Sequence, residues 1–274
     1  MKTNSRIATS ETKTTDSIPI LTLSRIGLIS RNYNKTFQNG RRDFSQVLPD
    51  VLKRLDEKGC DAALFSLFSI IPQKPFVPHN TFSNLKHIKA IFLEEFQDRE
   101  PRKQGRYMIY YLSSSSNWEK YQLCQKFGRF IEISQKKMDD FVKNEIPKRI
   151  IGNSCVLLCG EINGVKYSQT YKKVQDTFGL RTAIKDTNII LNPSHDRMTR
   201  FEMKLKRQFL SAQFLSEEPG RWVVSIWNKG RKDKNGRVRD GKKPAWIVFH
   251  NGEEMKVETI RNNLGVEIGI LDCT

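Results

Sequence analysis

The chain has 274 residues, of which 38% are hydrophobic and 10% aromatic, and its formal net charge is +17. This length and apolar content suffice to bury one large core or two small ones, which excludes a disordered chain. No apolar run approaches the roughly 18 residues that a membrane-spanning helix needs, and the polar start of the chain does not match a signal peptide. We therefore expect a globular protein of the cytoplasm that does not bind membranes.

The cysteines argue against a disulfide framework. They are odd in number and scattered along the chain, as Cys60, Cys124, Cys155, Cys159 and Cys273. No pair of CxxC motifs and no cysteine–histidine spacing of a zinc site occurs. We expect reduced thiols, no metal and no cofactor.

The first half of the chain predicts alternating strands and helices after a polar tail. Residues 1–17 are rich in Thr and Ser and have no apolar period, which predicts a disordered tail. The elements that follow are assigned from apolar periodicity. They are a strand at 18–30, a helix at 43–59, a strand at 61–71, a helix from Thr81 to Phe96, a strand at 106–112, and a strand or hairpin at 118–133.

The second half continues the same mixture of elements. They are a polar helical piece at 136–145, a strand at 154–159, a strand at 187–194, a helix at 197–214, a strand at 221–228, and late strands at 244–260 and 266–273. The pair Asn251–Gly252 predicts a tight hairpin turn among the late strands. No break in composition divides the chain, so we expect a single α/β domain over 18–274.

Cys159 stands where the apolar strand CVLLC runs into Gly160 and Glu161. A strand end holds a thiol rigidly, a glycine lets the chain turn sharply, and the amides of the turn can face an oxyanion. This pattern is typical of a nucleophile elbow. The alternative interpretation is a small buried hydrophobic residue, which is what most unpaired cysteines are.

The order of the motifs resembles the nitrilase or carbon–nitrogen hydrolase superfamily. The resemblance rests on VLLCGE at 156–161, IILNPS at 189–194, the helix at 197–214 and WVVSIWN at 222–228. It implies a four-layer α-β-β-α sandwich and a pairing of subunits into a homodimer. It also implies a Cys–Glu–Lys triad that opens an amide or nitrile through a thioester on the cysteine.

On this resemblance Cys159 is the nucleophile, and Lys120 in KYQL stabilises the tetrahedral intermediate. Lys126 is the second choice for that lysine. Apart from the resemblance, His195 follows Asn–Pro–Ser at a strand end. We expect it to line the Cys159 pocket, because both strands end at the same edge of the sheet. The alternative interpretation of this lone histidine is a structural one.

The general base is where the sequence departs from the family. Ser66 and Leu67 stand where family members have Pro–Glu. Without a base, the general acid–base share of the rate, typically ~10²–10⁴-fold, would be lost. Glu161, two residues after the nucleophile, is the candidate substitute, whereas Glu94 and Glu95 fall on a predicted helix in a context unlike the motif.

A metal nuclease is a competing interpretation of one motif. Asp186 followed by Glu202 and Lys204 has the spacing of a D…ExK site, and the basic charge suits DNA. That site needs Glu and Lys on one side of a strand. The apolar spacing at 197–214 predicts a helix, on which residues two apart do not face each other.

Part of the charge is concentrated at 229–243, which holds eight Lys or Arg and two Asp among glycines. Such a loop attracts nucleic acid or an acidic partner, but it lacks interleaved aromatic residues, so a solvated hairpin tip is the alternative. Two function classes stay open. One is a thiol-dependent amidase or acyl-transfer enzyme acting on a small amide or nitrile, favoured by Cys159 and Lys120. The other is an inactive protein of the same fold that binds nucleic acid or a protein through its basic surface, favoured by the missing Glu motif.

Overall fold

The structure is a computed structural model. It describes residues 21–31, 44–71, 81–96, 106–128, 134–195, 200–213, 220–230, 235–236 and 244–274. The tail at 1–17 and most of the basic loop at 229–243 lie outside these ranges, and the predictions made for them stay predictions. No helix among the described residues is long and apolar enough to cross a membrane.

The described residues form a mixed α/β fold with two large sheets. In the first sheet β1, β2 and β3 are parallel and the other pairs are antiparallel. Its spatial order is β14 (Glu258–Ile260), β15 (Val266–Asp272), β1 (Arg25–Arg31), β2 (Ala62–Phe65), β3 (Ala90–Glu95), β4 (Arg106–Leu112) and β5 (Trp118–Leu123).

In the second sheet β7, β10 and β11 are parallel and the remaining pairs are antiparallel. Its spatial order is β13 (Glu253–Met255), β12 (Trp246–His250), β11 (Trp222–Ile226), β10 (Ile189–Pro193), β7 (Ser154–Val156) and β6 (Ile150–Ile151). A separate hairpin pairs β8 (Lys166–Ser168) with β9 (Lys173–Gln175).

The helices are short and lie between the strands in sequence. The α-helices whose bounds lie within the described ranges are α1 (Leu48–Glu57), α2 (Gln135–Asp140), α3 (Leu180–Ala183) and α4 (Phe201–Ser211). A π-helical turn, Phe141–Glu145, continues α2, and two 3₁₀ turns cover Pro147–Arg149 and Cys159–Gly164.

Buried apolar side chains form an inner cluster that joins the two sheets. Leu64 and Phe92 enter it from the first sheet, and Leu191 and Val224 enter it from the second. The central parallel strands are apolar on both faces, as is typical of strands covered on two sides. The inner cluster is therefore the contact through which one sheet fixes the position of the other.

Two outer clusters pack helices against the opposite faces of the sheets. In the first outer cluster Val51 and Leu55 of α1 contact the face of the first sheet that carries Phe65. In the second outer cluster, α2, α3 and α4 cover the other face of the second sheet, for example through Leu210 against Ile190.

Most predicted elements are confirmed, and the prediction of a helix from Thr81 to Phe96 is wrong. Residues Ala90–Glu95 form β3, parallel to β2. The run Ala–Ile–Phe–Leu is buried on both faces of the strand, and a short apolar run of this kind does not distinguish a strand from a buried helix. The hairpin turn is confirmed, because Asn251 and Gly252 have φ values of 47° and 83° between β12 and β13.

The carboxylate of Asp56, near the end of α1, binds three successive backbone N–H groups. Its oxygens accept from Lys86, His87 and Ile88 at 2.7–3.0 Å, and the residue is buried. Burial alone raises the pKa of Asp56, but the three N–H donors and the nearby His87 outweigh it and lower the pKa below its ordinary value. The ionised carboxylate therefore holds the segment before β3 against α1.

We expect Asp56→Asn to lower the free energy of unfolding at pH 7 by ~1–3 kcal/mol, because one N–H acceptor becomes a donor. A carboxylate with a lowered folded pKa stabilises the protein above its unfolded pKa, ~3.9, and this stabilisation is lost as the pH falls through the folded value. Urea unfolding of both proteins from pH 7 to pH 2 measures the difference. Asp50→Asn, at an exposed position of the same helix, is the control; equal effects of the two substitutions would contradict the prediction.

Candidate functional site

Cys159 lies in a strained turn just after the end of β7. The predicted strand 154–159 ends at Val156, and Cys159 begins a 3₁₀ turn with φ of 44°, in the left-handed region that residues with a Cβ rarely adopt. The turn is closely packed at Gly160, where an added Cβ would lie 1.9 Å from the Gly128 carbonyl oxygen. This is the backbone geometry of a nucleophile elbow.

A buried chain of polar groups holds the backbone of this turn. Asn192 Nδ2, at the end of β10, donates to the carbonyl oxygens of Leu157 and Cys159 at 2.6 and 3.1 Å. Asn192 Oδ1 accepts from Ser225 Oγ at 3.0 Å, and Arg207 Nε donates to Ser225 Oγ at 2.7 Å. Asn192, Ser225 and Arg207 are fully buried, so the position of the thiol is fixed from β10, β11 and α4.

The carboxyl ends of strands from both sheets meet beside the elbow. The N–H of Leu67 donates to the Ser194 carbonyl at 3.2 Å. Asn228 accepts from Ser66 Oγ at 2.7 Å and donates to the Leu67 carbonyl at 2.6 Å. Ser66 and Leu67, which occupy the expected Pro–Glu positions, therefore tie β2 to the second sheet. Carboxyl ends of parallel strands are where ligands bind in α/β folds.

His195 lies between Cys159 and Glu94, which come from different sheets. Its Nε2 lies 3.3 Å from Glu94 Oε2, and the imidazole also interacts with the side chain of Cys159. The ring of Phe68 packs on the imidazole at 4.1 Å between centroids, and the Phe68 N–H donates to Glu94 Oε2 at 2.5 Å. The side chain of His195 is 29% exposed, so the histidine is oriented by contacts and still reaches solvent.

His195 and Arg207, two basic side chains that interact with Cys159, have shifted pKa values. Burial lowers the pKa of His195, but the hydrogen bonds to Cys159 and Glu94 and their negative charges outweigh it and raise the pKa to about 10. Burial lowers the pKa of Arg207 to about 9, and the charge of Cys159 opposes that change. Both bases thus carry a proton at pH 7 and place positive charge beside Cys159.

Tyr107 adds a buried hydroxyl on the side of the first sheet. It lies directly opposite Glu94 in the register of β3 and β4, and burial with the charge of Glu94 raises the pKa of Tyr107 well above its ordinary value. Among the described residues its hydroxyl has no hydrogen-bond partner, and the same holds for Ser194 Oγ. Two protonated donors are therefore available near the strand ends.

Glu161 lies in the same 3₁₀ turn as Cys159, and its carboxylate is bound by several polar groups. Its oxygens lie 2.7 and 2.9 Å from the guanidinium of Arg149, and they accept from the N–H groups of Lys126 and Leu158 at 2.7 Å each. Burial raises the pKa of Glu161 to about 7, whereas Arg149 and the two N–H groups favour its ionised form. Both oxygens are occupied by structural partners. These contacts favour a structural part for Glu161, and its expected part as the general base stays a prediction.

The two candidate lysines, Lys120 and Lys126, lie beside residues other than Cys159. Lys120 lies opposite Tyr110 in the register of β4 and β5, and Tyr110 belongs to the first outer cluster. Directly opposed residues share a face, so Lys120 is exposed on the outer face of the first sheet, while Cys159 packs against the inner cluster. The ammonium group of Lys126 lies 3.0 Å from Glu145. Neither contact involves the thiol.

The nuclease interpretation is not supported by the contacts of its residues. Glu202 and Lys204 lie on α4, where Glu202 accepts from Gln169 at 2.8 Å and Lys204 donates to Glu254 at 2.5 Å. Within the described ranges, no three His, Cys, Asp or Glu side chains converge so that they could hold a metal ion. Cys159, His195 and Glu94 lie in a row, with His195 in the middle, and do not surround a common position.

Sequence reasoning placed His195 at the site and missed Glu94. The glutamate was assigned to a helix, although it follows Phe92 by two residues and therefore shares its face on a strand. The alternation of side chains in Ala90–Glu95 was the available signal. Arg207 and Tyr107 carried no sequence signal, because their burial depends on packing between distant segments.

No protein-family model matches the chain, and no curated protein matches it. Among solved structures, the chain is similar to a CN-hydrolase superfamily protein from Xanthomonas campestris whose crystal structure carries an arsenic adduct in the active site. The two chains share 10% sequence identity with a TM-score of 0.44, over 92% of this chain and 91% of that chain.

We expect Glu161→Gln to lower the free energy of unfolding by ~3–5 kcal/mol, because it leaves the Arg149 guanidinium buried without a counter-charge. Chemical denaturation followed by tryptophan fluorescence measures the loss. The control is Glu145→Gln, which removes a carboxylate paired with Lys126 and Lys148 nearer the surface and should cost ~0–1 kcal/mol. A Glu161→Gln protein as stable as the control would show that the buried pair does not hold the elbow.

Proposed function

We propose that the protein is a thiol-dependent hydrolase or acyl-transfer enzyme that cleaves a carbon–nitrogen bond of a small amide or nitrile. Cys159 is the nucleophile, His195 moves the proton, and Glu94 orients the histidine. The observation that carries this proposal is the row of contacts from Cys159 through His195 to Glu94 at a strained elbow. A nucleophile, a base and a group that orients the base are the recurring parts of such enzymes.

We further propose that the architecture is the nitrilase-like four-layer α-β-β-α sandwich. Support comes from the inner cluster, which contains residues of both sheets, and from the two outer clusters, which contain residues of α1 on one side and of α2, α3 and α4 on the other. Homodimer formation and location in the cytoplasm remain predictions.

The proposed reaction at an amide starts from a thiolate at Cys159 and an imidazolium at His195. The Cys159 thiolate adds to the carbonyl carbon, and the carbonyl electrons move to oxygen. When the tetrahedral intermediate collapses, the imidazolium of His195 gives its proton to the leaving nitrogen, the carbon–nitrogen bond breaks, and a thioester remains. The neutral His195 then takes a proton from water, whose oxygen attacks the thioester, and release of the acid restores the thiolate and the imidazolium.

The developing oxyanion requires hydrogen-bond donors in a preorganised position. Arg207, whose charge interacts with Cys159, and the buried hydroxyl of Tyr107 are the candidates on the two sides of the site. Such donors would take the part that the resemblance gives to a lysine. Lys120 then has no part in the reaction, in contrast to the Cys–Glu–Lys triad.

The alternative function is that of an inactive protein of this fold that binds nucleic acid or a protein partner. The use of Ser66 and Leu67 as links between the sheets favours it, because the position of the family's base then serves structure alone. The alternative predicts an ordinary thiol at Cys159.

The proposed mechanism needs a thiolate at Cys159 paired with the imidazolium of His195, so we expect the rate at which iodoacetamide labels Cys159 to change less than about threefold between pH 6 and pH 8. A free cysteine of pKa ~8.5 would show a rise of roughly 75-fold over this range. Peptide mass spectrometry measures the rate, and the exposed Cys124 is the internal reference. His195→Ala should restore a steep rise at Cys159, and equal slopes for both thiols in the unaltered protein would contradict the triad.

We expect Cys159→Ala to abolish hydrolysis of a panel of small amides and nitriles, and His195→Ala to lower kcat by ~10²–10⁴-fold. Glu94→Gln should lower kcat with little change in KM, because it acts through the orientation of His195. The control that separates this triad from the Cys–Glu–Lys triad is Lys120→Ala, which should retain activity. A loss in Lys120→Ala as large as in His195→Ala would overturn the assignment.

A further inference from the structure

A surface with exposed aromatic and basic side chains lies on the outer side of the second sheet, where the β8–β9 hairpin packs against α4. Tyr171 and Phe201 are each 67% exposed, more than the other large hydrophobic side chains in the part of the chain that the structure describes. We call this surface the aromatic–basic patch; its residues are Tyr167, Tyr171, Lys172, Lys173, Arg200 and Phe201.

The charges of the patch have one sign. The hairpin sequence Lys166–Gln175 contains three lysines and no Asp or Glu. Lys172 and Lys173 are exposed, and Arg200 is exposed next to Phe201. The nearest acidic side chain on α4, Glu202, accepts a hydrogen bond from Gln169 and so serves to attach the hairpin to the helix.

The aromatic rings are already arranged around these cations. Tyr167 meets Phe201 edge to face at 6.5 Å between centroids, and Lys173 Nζ lies 5.7 Å from the centre of the Tyr171 ring. The tip of the hairpin is closed by the Tyr171 N–H, which donates to Ser168 Oγ at 3.2 Å. The backbone that carries Tyr171 is therefore a formed turn, and Phe201 is the first residue of α4.

From this arrangement we infer that the aromatic–basic patch binds single-stranded nucleic acid. Unpaired bases stack on exposed aromatic faces, and lysines beside the rings contact the phosphates between the bases. A duplex keeps its bases stacked inside and offers only the phosphates. An acidic protein would likewise pair with the lysines but leave the two exposed rings without a role, and the net charge of +17 favours a polyanion.

The patch is distinct from the Cys159 site, and it contains no residue of the basic loop at 229–243. Arg200 and Phe201 lie at the start of α4, whereas Arg207, the residue of α4 that interacts with Cys159, is fully buried. The inference therefore does not depend on the proposed enzyme activity.

Fluorescence anisotropy tests the inference with labelled 15-nucleotide strands of oligo-dT and oligo-rU and with the corresponding duplex. Binding of the protein to vesicles with anionic lipid headgroups is measured beside them. We expect both single strands to bind more tightly than the duplex. Tyr171→Ala with Phe201→Ala should weaken single-strand binding by about tenfold or more, because each stacked base contributes to the affinity. Lys172→Ala with Lys173→Ala should reduce the slope of log K against log salt by about 1.4, the value for two phosphate contacts on a single strand.

Matched controls lie elsewhere on the surface. Met255→Ala removes another exposed apolar side chain. Lys53→Ala with Lys58→Ala removes one exposed charge on α1 and one at the residue that follows it, and α1 covers the other sheet. Both should leave single-strand binding within about twofold of the unaltered protein. Equal binding of duplex and single strand, no effect of Tyr171→Ala with Phe201→Ala, or binding to vesicles alone would each overturn the inference.

Discussion

Asn228 fixes the relation between the two sheets by using both ends of its side-chain amide at the ends of the parallel strands. Its oxygen accepts from Ser66 and its nitrogen donates to the Leu67 carbonyl, and all three residues are buried. The inner cluster brings the sheets together without specifying their register, since apolar contacts have no direction. The directional amide bonds supply that register. Glu94 from one sheet can meet His195 from the other only because these ends are held together.

Asn192 performs the corresponding task within the second sheet. It binds the carbonyl of the strained Cys159 and accepts a hydrogen bond from Ser225, to which Arg207 donates in turn. On the other side of the turn, Arg149 and Glu161 form a buried ion pair. A left-handed residue with a Cβ persists where its surroundings over-determine it. The elbow is thus a site where charge burial and backbone strain are balanced by two independent sets of polar contacts.

The parts of the site that the sequence predicted are those that follow from strand ends. Cys159 comes directly after an apolar run and His195 follows another by a few residues, so their position at one edge needed no knowledge of tertiary structure. Lys120 was placed by a motif, but on a strand a single position decides which face a side chain takes, and the register with Tyr110 puts it on the outer face. The partner of Glu161 could not be predicted, because burial of Arg149 depends on how the segment after α2 packs.

Phe68 contributes to the histidine site with two different parts of the same residue. Its ring lies on the imidazole of His195, whereas its backbone N–H binds the carboxylate of Glu94. A mutational scan exchanges side chains and leaves backbone amides in place, so a scan at this position would report on the ring alone. The N–H that binds the carboxylate belongs to the backbone of Phe68, which adopts a left-handed conformation with φ of 59°. Only a change to the main chain itself, such as replacing the amide by an ester, would reveal the contribution of this N–H.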